Sequence, residues 1–394
     1  MFAPSFVRVA ARRYRRHLIS QYLRRTRLSI PQTAAAVALW APPRVKTNVG
    51  DGALTAGAIA AIGTDRAIIF TRDTAKAVSE IDREVLIDRA VEVGSYKDFK
   101  ASFQKLLPSF EQCSSAFLVG ADGMDGKYGP DLSARRWQIA QWLQGNGIDT
   151  KVISMSWNAN PHPISSEAAK RAFDAGVTVV ARDTKSQQRL QDMGVDAQLA
   201  FDLSFIRTDQ VTPDDSIVQW FNSGRPNIIV TVSDWVERNP SMFKLLTDSL
   251  KSLASDYQFL FVPMVDDGIS VDRDSCERLA DEIGGLVLPT IPNPAQLRWM
   301  AARSAFGISS RMHCCLLGFA AGMPAIGIEY QGKFEGAFGI FGLTRFVMNE
   351  ANFEKNFPEA LAELVKSNES LKEMILLKIP AVAKDAKSAF VLGN

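Results

Sequence analysis

The chain alternates between short apolar runs and longer stretches in which apolar residues recur every three or four positions. AAAVALWAP (34–42), AIIFTR (67–72), AFLVGADG (116–123), TKVISMS (150–156) and VTVVARD (177–183) are apolar nearly throughout, as strands covered on both faces are. Between them TNVGDGALTAGAIAAIG (47–63), LSARRWQIAQWLQGNG, SEAAKRAFDAG and TKSQQRLQDMG carry helical spacing, with glycine at their ends as a stop signal. A turn-rich stretch around Asp209–Asp215 interrupts the alternation. It then restarts with NIIVTVS (227–233), a helical MFKLLTDSLKSLASD, FLFVPMV (259–265), a helix near 274–283, GLVLPT, NPAQLRWMAAR and AFGIS. Residues 350–394 form a helical, amphipathic tail. Strand and helix in turn predict an α/β fold of two Rossmann-like domains with parallel sheets facing a central cleft. The expected division is an arm at 1–33, a first domain at 34–208, a second at 209–349, and C-terminal helices at 350–394 packing back on the body.

Composition supports a globular chain of 394 residues, too long for one core of ordinary size. No apolar stretch approaches the roughly 20 residues that span a bilayer. Cys113, Cys276, Cys314 and Cys315 form no CxxC pair, which fits buried free thiols in a reducing cytoplasm. Three scattered histidines give no zinc-ligand spacing, and no metal is expected.

The net charge of +2 conceals an asymmetry. Met1 to Lys46 holds ten Lys and Arg and no acid, leaving 35 basic against 43 acidic residues in the rest of the chain. Val7, Tyr14, Leu18, Tyr22 and Leu23 are spaced as on one helix face. Three readings remain open: a helix lying on anionic lipid at the inner face of the membrane, a solvated arm, or a helix docked on its own acidic body. No nucleic-acid partner is expected.

The richest chemistry lies in SSRMHCCLLGFAAGMPAIGIEYQGKFEG (309–336). A strand ends near Ile308, Ser309 or Ser310 is expected to cap the next helix, and Arg311 and His313 fall in its first turn. Exposed amides, the helix dipole and a guanidinium fork make that place an anion site. Pro324 restarts a strand that delivers Glu329 and Lys333 to the same rim. In the first half, Asn48, Gly50 and Asp51 occupy a strand-to-helix turn, where Gly permits close approach and Asp serves as cap or base. Arg182 follows another strand; it is placed to take an anionic substrate or to pair with Asp183 or Asp202.

NVGDGALTAGAI, VGADGMDGKYGP, VARDTKSQQRLQDMGV with FDLSF, and above all the 309–336 block resemble the polysaccharide pyruvyl transferases. The resemblance runs from about residue 45 to 340 and excludes the basic arm. It implies a GT-B-like fold, with the first domain on the acceptor side and the second on the donor side. It also implies transfer of the enolpyruvyl group of phosphoenolpyruvate to a sugar diol of an envelope or extracellular polysaccharide, or of its lipid-linked precursor, forming a pyruvate ketal. Phosphoenolpyruvate is then a co-substrate, and no cofactor is needed. The family's motif residues fall on Asp51, Arg182, His313 and Lys333; with the reading of the residues above, His313 and Asp51 are the expected catalytic groups, and Arg182, Arg311, Lys333, Asn48, Gly50, Ser310 and Glu329 the expected substrate-binding ones. The family's glycine-rich GGG loop is GADG here, at Gly120 to Gly123, which bears on the sugar admitted. A GT-B glycosyltransferase using a nucleotide sugar is the rival reading. A non-catalytic anion- or membrane-binding module is a second.

Overall fold

The computed structural model describes residues 5–63, 65–72, 84–266, 268, 272–330 and 332–391, with side chains from residue 9 onward. The chain divides into two compact units, one of Met1–Pro43, Ala58–Ala200 and Lys387–Asn394, the other of Arg44–Gly57 and Phe201–Ala386.

The first unit is built on a parallel sheet of β1 (Ala36–Trp40), β2 (Ala67–Thr71), β3 (Glu84–Leu86), β4 (Cys113–Ala121), β5 (Asp149–Met155), β6 (Thr178–Ala181) and β7 (Gln198–Leu199). Its order is β3-β2-β1-β4-β5-β6-β7. All five residues of β1 and of β2 are buried, as an unbroken apolar run requires when helices cover both faces. Phe70 stacks on Phe110 at 4.4 Å, and Trp40 lies parallel to both, giving the core an aromatic layer.

The second unit carries β8 (Asn227–Thr231), β9 (Gln258–Phe261), β10 (Leu286–Val287), β11 (Ser304–Ser309), β12 (Ala325–Ile328) and β13 (Val347–Met348), again all parallel. Their order is β10-β9-β8-β11-β12-β13, the order of a dinucleotide-binding sheet. GLVLPT, expected as a strand, pairs over two residues only. The 36-residue helix Phe353–Ser388 buries Phe357, Leu361, Leu364, Leu371 and Ile375, spaced three, four and seven apart, against this sheet's core.

The contiguous division expected near 208/209 differs from the observed one. Arg44–Gly57 belongs to the second unit because its backbone is bonded there: Val49 N–H donates to Met264 O at 3.0 Å and Asp266 N–H to Thr47 O at 2.9 Å. Gly57 seals the attachment, since a Cβ there would stand 2.1 Å from the carbonyl oxygen of Leu203. The expected linker around Asp209–Asp215 is likewise stitched down, with Arg298 reaching Asp209 and Val211 N–H donating to Ala295 O at 3.2 Å.

The basic arm is a helix, Ser5–Arg25, packed within the first unit. Ile19 and Leu23 are buried and Tyr22 meets Phe99 edge-on at 6.0 Å, whereas Tyr14, expected on the same face, is 65% exposed. The rest of the expected face is turned inward, with Leu23 buried and Leu18 and Tyr22 half-buried, and Tyr22 packs on Tyr96 and Phe99. The side chain of Val7 lies outside the described residues. Among the described residues, no helix is long and apolar enough to cross a membrane.

Candidate active site

In the second unit the strand order reverses between β8 and β11, and such a switch point opens a crevice beyond the carboxyl ends of the two strands. Ser310, just past β11, accepts a hydrogen bond from Ser233 N–H at 2.9 Å, tying the loop after β11 to the loop after β8. Neither serine caps the following helix, Met312–Ala320. Its N-cap residue is Arg311, without a side-chain cap. Ser309 Oγ instead accepts from Arg311 N–H and donates to Arg311 O, both at 3.0 Å, which fixes the main chain immediately before the helix.

Arg311 does present a bidentate fork, but to a protein carboxylate. Its Nε and Nη2 donate to Asp272 at 3.0 and 2.6 Å, and Asp272 is 1% exposed. Asp272 Oδ2 also accepts from Met264 N–H and Val265 N–H, each at 3.1 Å. Arg311 thus neutralises a buried acid, and through it braces the loop on which the Asn48 turn rests. A charge so deeply buried needs this compensation.

That turn brings the NxGD residues to the histidine. Asn48 Oδ1 accepts from Gly50 N–H at 2.9 Å and Asp51 N–H at 3.3 Å, shaping the first turn of the helix Val49–Ile62. Asp51, 8% exposed, accepts from Arg44 N–H at 3.2 Å. Gly50 is packed directly against the imidazole of His313: a Cβ would lie 2.3 Å from Nδ1. On the other side of the ring, Nε2 is 3.5 Å from Asp202 Oδ2. Nε2 is buried without a hydrogen-bond partner. The second oxygen of Asp202 accepts from Ser204 N–H at 2.9 Å, so the carboxylate is held in place. From sequence Asp202 is expected only as a candidate partner of Arg182, and Asp272 has no expected role. FDLSF carried a local signal for Asp202, an Asp two residues before a Ser after a strand; Asp272, in an acidic helix start, carried none.

Glu329, at the end of β12, is buried and accepts from Phe334 N–H at 2.8 Å. It is engaged in capping the helix Phe334–Phe341, and Lys333 is that helix's N-cap residue, half-buried. Beside them Tyr330 stacks on Trp235 at 5.4 Å, so aromatic rings from the loops after β12 and β8 flank the end of β11.

Arg182 belongs to the first unit. Its side chain is 2% exposed and donates to Ser156 Oγ at 2.8 Å and to Asp122. Asp122 is the acid of the GADG loop. Ala121 and Ser154, which precede this network, take left-handed φ values of 48° and 50°, unusual for residues with a Cβ. Among the described residues, no group of three His, Cys, Asp or Glu is disposed to hold a metal ion.

Two Rossmann-ordered parallel sheets in an α/β chain are the pattern of the GT-B fold, and known structures agree. A putative UDP-N-acetylglucosamine 2-epimerase from Listeria monocytogenes superposes with a TM-score of 0.59 at 12% identity, over 91% of this chain and 98% of that one. HepE of Anabaena, solved with UDP and glucose, gives 0.60 at 11% identity, covering 89% and 95%. The lipopolysaccharide glycosyltransferase WaaG gives 0.53 at 11%, covering 91% and 100%. A comparison with curated proteins gives no match. The family is decided by sequence: the model of the polysaccharide pyruvyl transferases matches residues 48–332, from Asn48 to the glycine before Lys333. The chain belongs to that family.

Proposed function

We propose that the protein transfers the enolpyruvyl group of phosphoenolpyruvate to two hydroxyls of one sugar in a bacterial envelope or extracellular polysaccharide, or in its lipid-linked precursor. The observation that carries this reading is His313, whose buried Nε2 lies 3.5 Å from Asp202 Oδ2 without a hydrogen bond while its ring rests on Gly50, all at the carboxyl edge of the second sheet.

Ketal formation begins with a proton delivered to the methylene carbon of phosphoenolpyruvate, which becomes the methyl group and leaves C2 cationic. His313 is assigned as that acid, and Asp202 stabilises its imidazolium form. One sugar hydroxyl adds to C2, and Asp51 accepts its proton. The bond from C2 to the phosphate oxygen then breaks, phosphate departs, and the second hydroxyl adds to C2 to close the ring. Of the two hydroxyl protons, one restores the acid and the other leaves with phosphate. Lys333 and the start of the Met312–Ala320 helix are assigned to the donor's anionic groups. Asn48, Gly50, Ser310 and Glu329 shape that pocket. On the first unit, Arg182 with Asp122 is assigned to saccharide binding.

The deciding experiment incubates the protein with phosphoenolpyruvate and a panel of aryl glycosides and weighs the products. A ketal adduct with release of phosphate is the expected result. Thermal stabilisation by UDP, GDP or CMP sugars, with none by phosphoenolpyruvate, would instead establish a nucleotide-sugar glycosyltransferase.

A further inference from the structure

The arginines of the first helix are unequally used. Arg15 and Arg16 turn inward and share a single carboxylate, Asp131, at 3.0 and 2.6 Å; Arg12 reaches the same acid only at 3.8 Å and is 59% exposed. Arg13, Arg24, Arg25 and Arg27 face solvent, as does His17. From Arg15 onward the side facing the unit is anchored: Ile19 and Leu23 are buried, and just past the helix Trp142 Nε1 donates to Thr26 O at 3.0 Å and Leu28 N–H donates to Asn146 Oδ1 at 3.0 Å. The helix therefore keeps its outward side fixed on the surface.

That outward side is not purely ionic. Val9 is 64% and Tyr14 65% exposed, flanking Arg13 on either side around the helix. Exposed aliphatic and tyrosyl groups interleaved with guanidinium groups suit the boundary between phosphate headgroups and acyl chains, where an aromatic ring and an arginine stem are both accommodated. A soluble polyanion would reward the charges and leave Val9 and Tyr14 unused. With 35 basic against 43 acidic residues beyond Lys46, the remainder of the chain has no such surplus of positive charge.

We infer that the outward face of the Ser5–Arg25 helix, formed by Val9, Arg13, Tyr14, Arg24 and Arg25 with Arg27 beyond it, docks on an anionic lipid surface while the helix stays folded on its own unit. Helix and membrane contact are then compatible, because the apolar residues buried inside and those offered to lipid lie on different sides.

The test is sedimentation of the full chain with vesicles of phosphatidylglycerol and phosphatidylcholine, against vesicles of phosphatidylcholine alone. Binding only to the anionic vesicles, released as salt rises to several tenths molar, is expected. Arg13→Glu/Arg24→Glu/Arg25→Glu should weaken that binding by about a hundredfold or more. Val9→Ser/Tyr14→Ser should weaken vesicle binding while leaving retention on heparin unchanged. All five positions are exposed, so unaltered thermal unfolding verifies that the variants fold. Equal binding to both vesicle types, no binding to either, or full binding by the triple variant overturns the inference. Retention on heparin without vesicle binding assigns the face to a soluble polyanion instead. Transfer to a soluble acceptor is not involved in any of these readings, so they stand apart from the proposed reaction.

Discussion

His313 and Gly50 are in van der Waals contact across two segments of one unit, with the imidazole filling the space that a Cβ on residue 50 would occupy, 2.3 Å from Nδ1. The glycine of the NxGD turn is thus explained by packing against the histidine of the RMH segment 263 residues later in number. Gly50→Ala should displace the ring, lowering transfer at least tenfold and stability by about 1–3 kcal/mol. Combining it with His313→Ala should restore most of the lost stability and none of the activity. Denaturation of the two single variants and the double variant measures that coupling directly.

Asp202 offers one oxygen to Ser204 N–H and the other to His313. Asn at this position keeps the backbone contact and loses the charge. Asp202→Asn should reduce kcat by about 10- to 100-fold with little change in the KM for phosphoenolpyruvate and a nearly unchanged unfolding midpoint. A loss confined to KM would remove Asp202 from the role of supporting the acid.

Arg311 and Asp272 form a pair whose acid is nearly inaccessible. Arg311→Ala leaves that carboxylate without its cation and should cost about 3–5 kcal/mol in urea unfolding. Arg311→Ala/Asp272→Asn should recover a large part of it. A substrate-binding arginine would show the opposite balance, with a raised donor KM and an unchanged fold. Lys333→Ala supplies that contrast: a higher KM for phosphoenolpyruvate and a midpoint within about 0.5 kcal/mol of the parent.

All four cysteines are buried. Burial pushes the Cys276 thiol up to about 12 and raises Cys314 and Cys315 as well, because the thiolate loses its hydration there. At pH 8 the three are therefore protonated, and native protein should react with an aromatic disulfide reagent only over hours, releasing its full complement at once in guanidinium. Rapid labelling of Cys314 or Cys315 in native protein would show that the helix after β11 opens.

The order of strands and helices was readable because each element writes its own periodicity: AAAVALWAP and NIIVTVS could be little else than buried strands. The same holds for the candidate residues around His313, since Arg311, His313 and Lys333 stand out against an apolar block whichever way it folds. Partners were not readable. A guanidinium's protein partner is set by what other chain segments bring near it, and for Arg311 Asp272 arrives from 39 residues away. Arg182 finds Asp122, 60 residues earlier, for the same reason.

The sequence by itself determined two α/β halves, a basic arm and a membership of the family, all of which depend on local pattern. Tertiary structure alone decided that Arg44–Gly57 belongs to the second unit, that Gly50 is shaped for His313, and which side of the first helix faces solvent. These are matters of contact between distant segments. Periodicity marks a helix as amphipathic, but only the shape and charge of the surface it meets select the side that is buried.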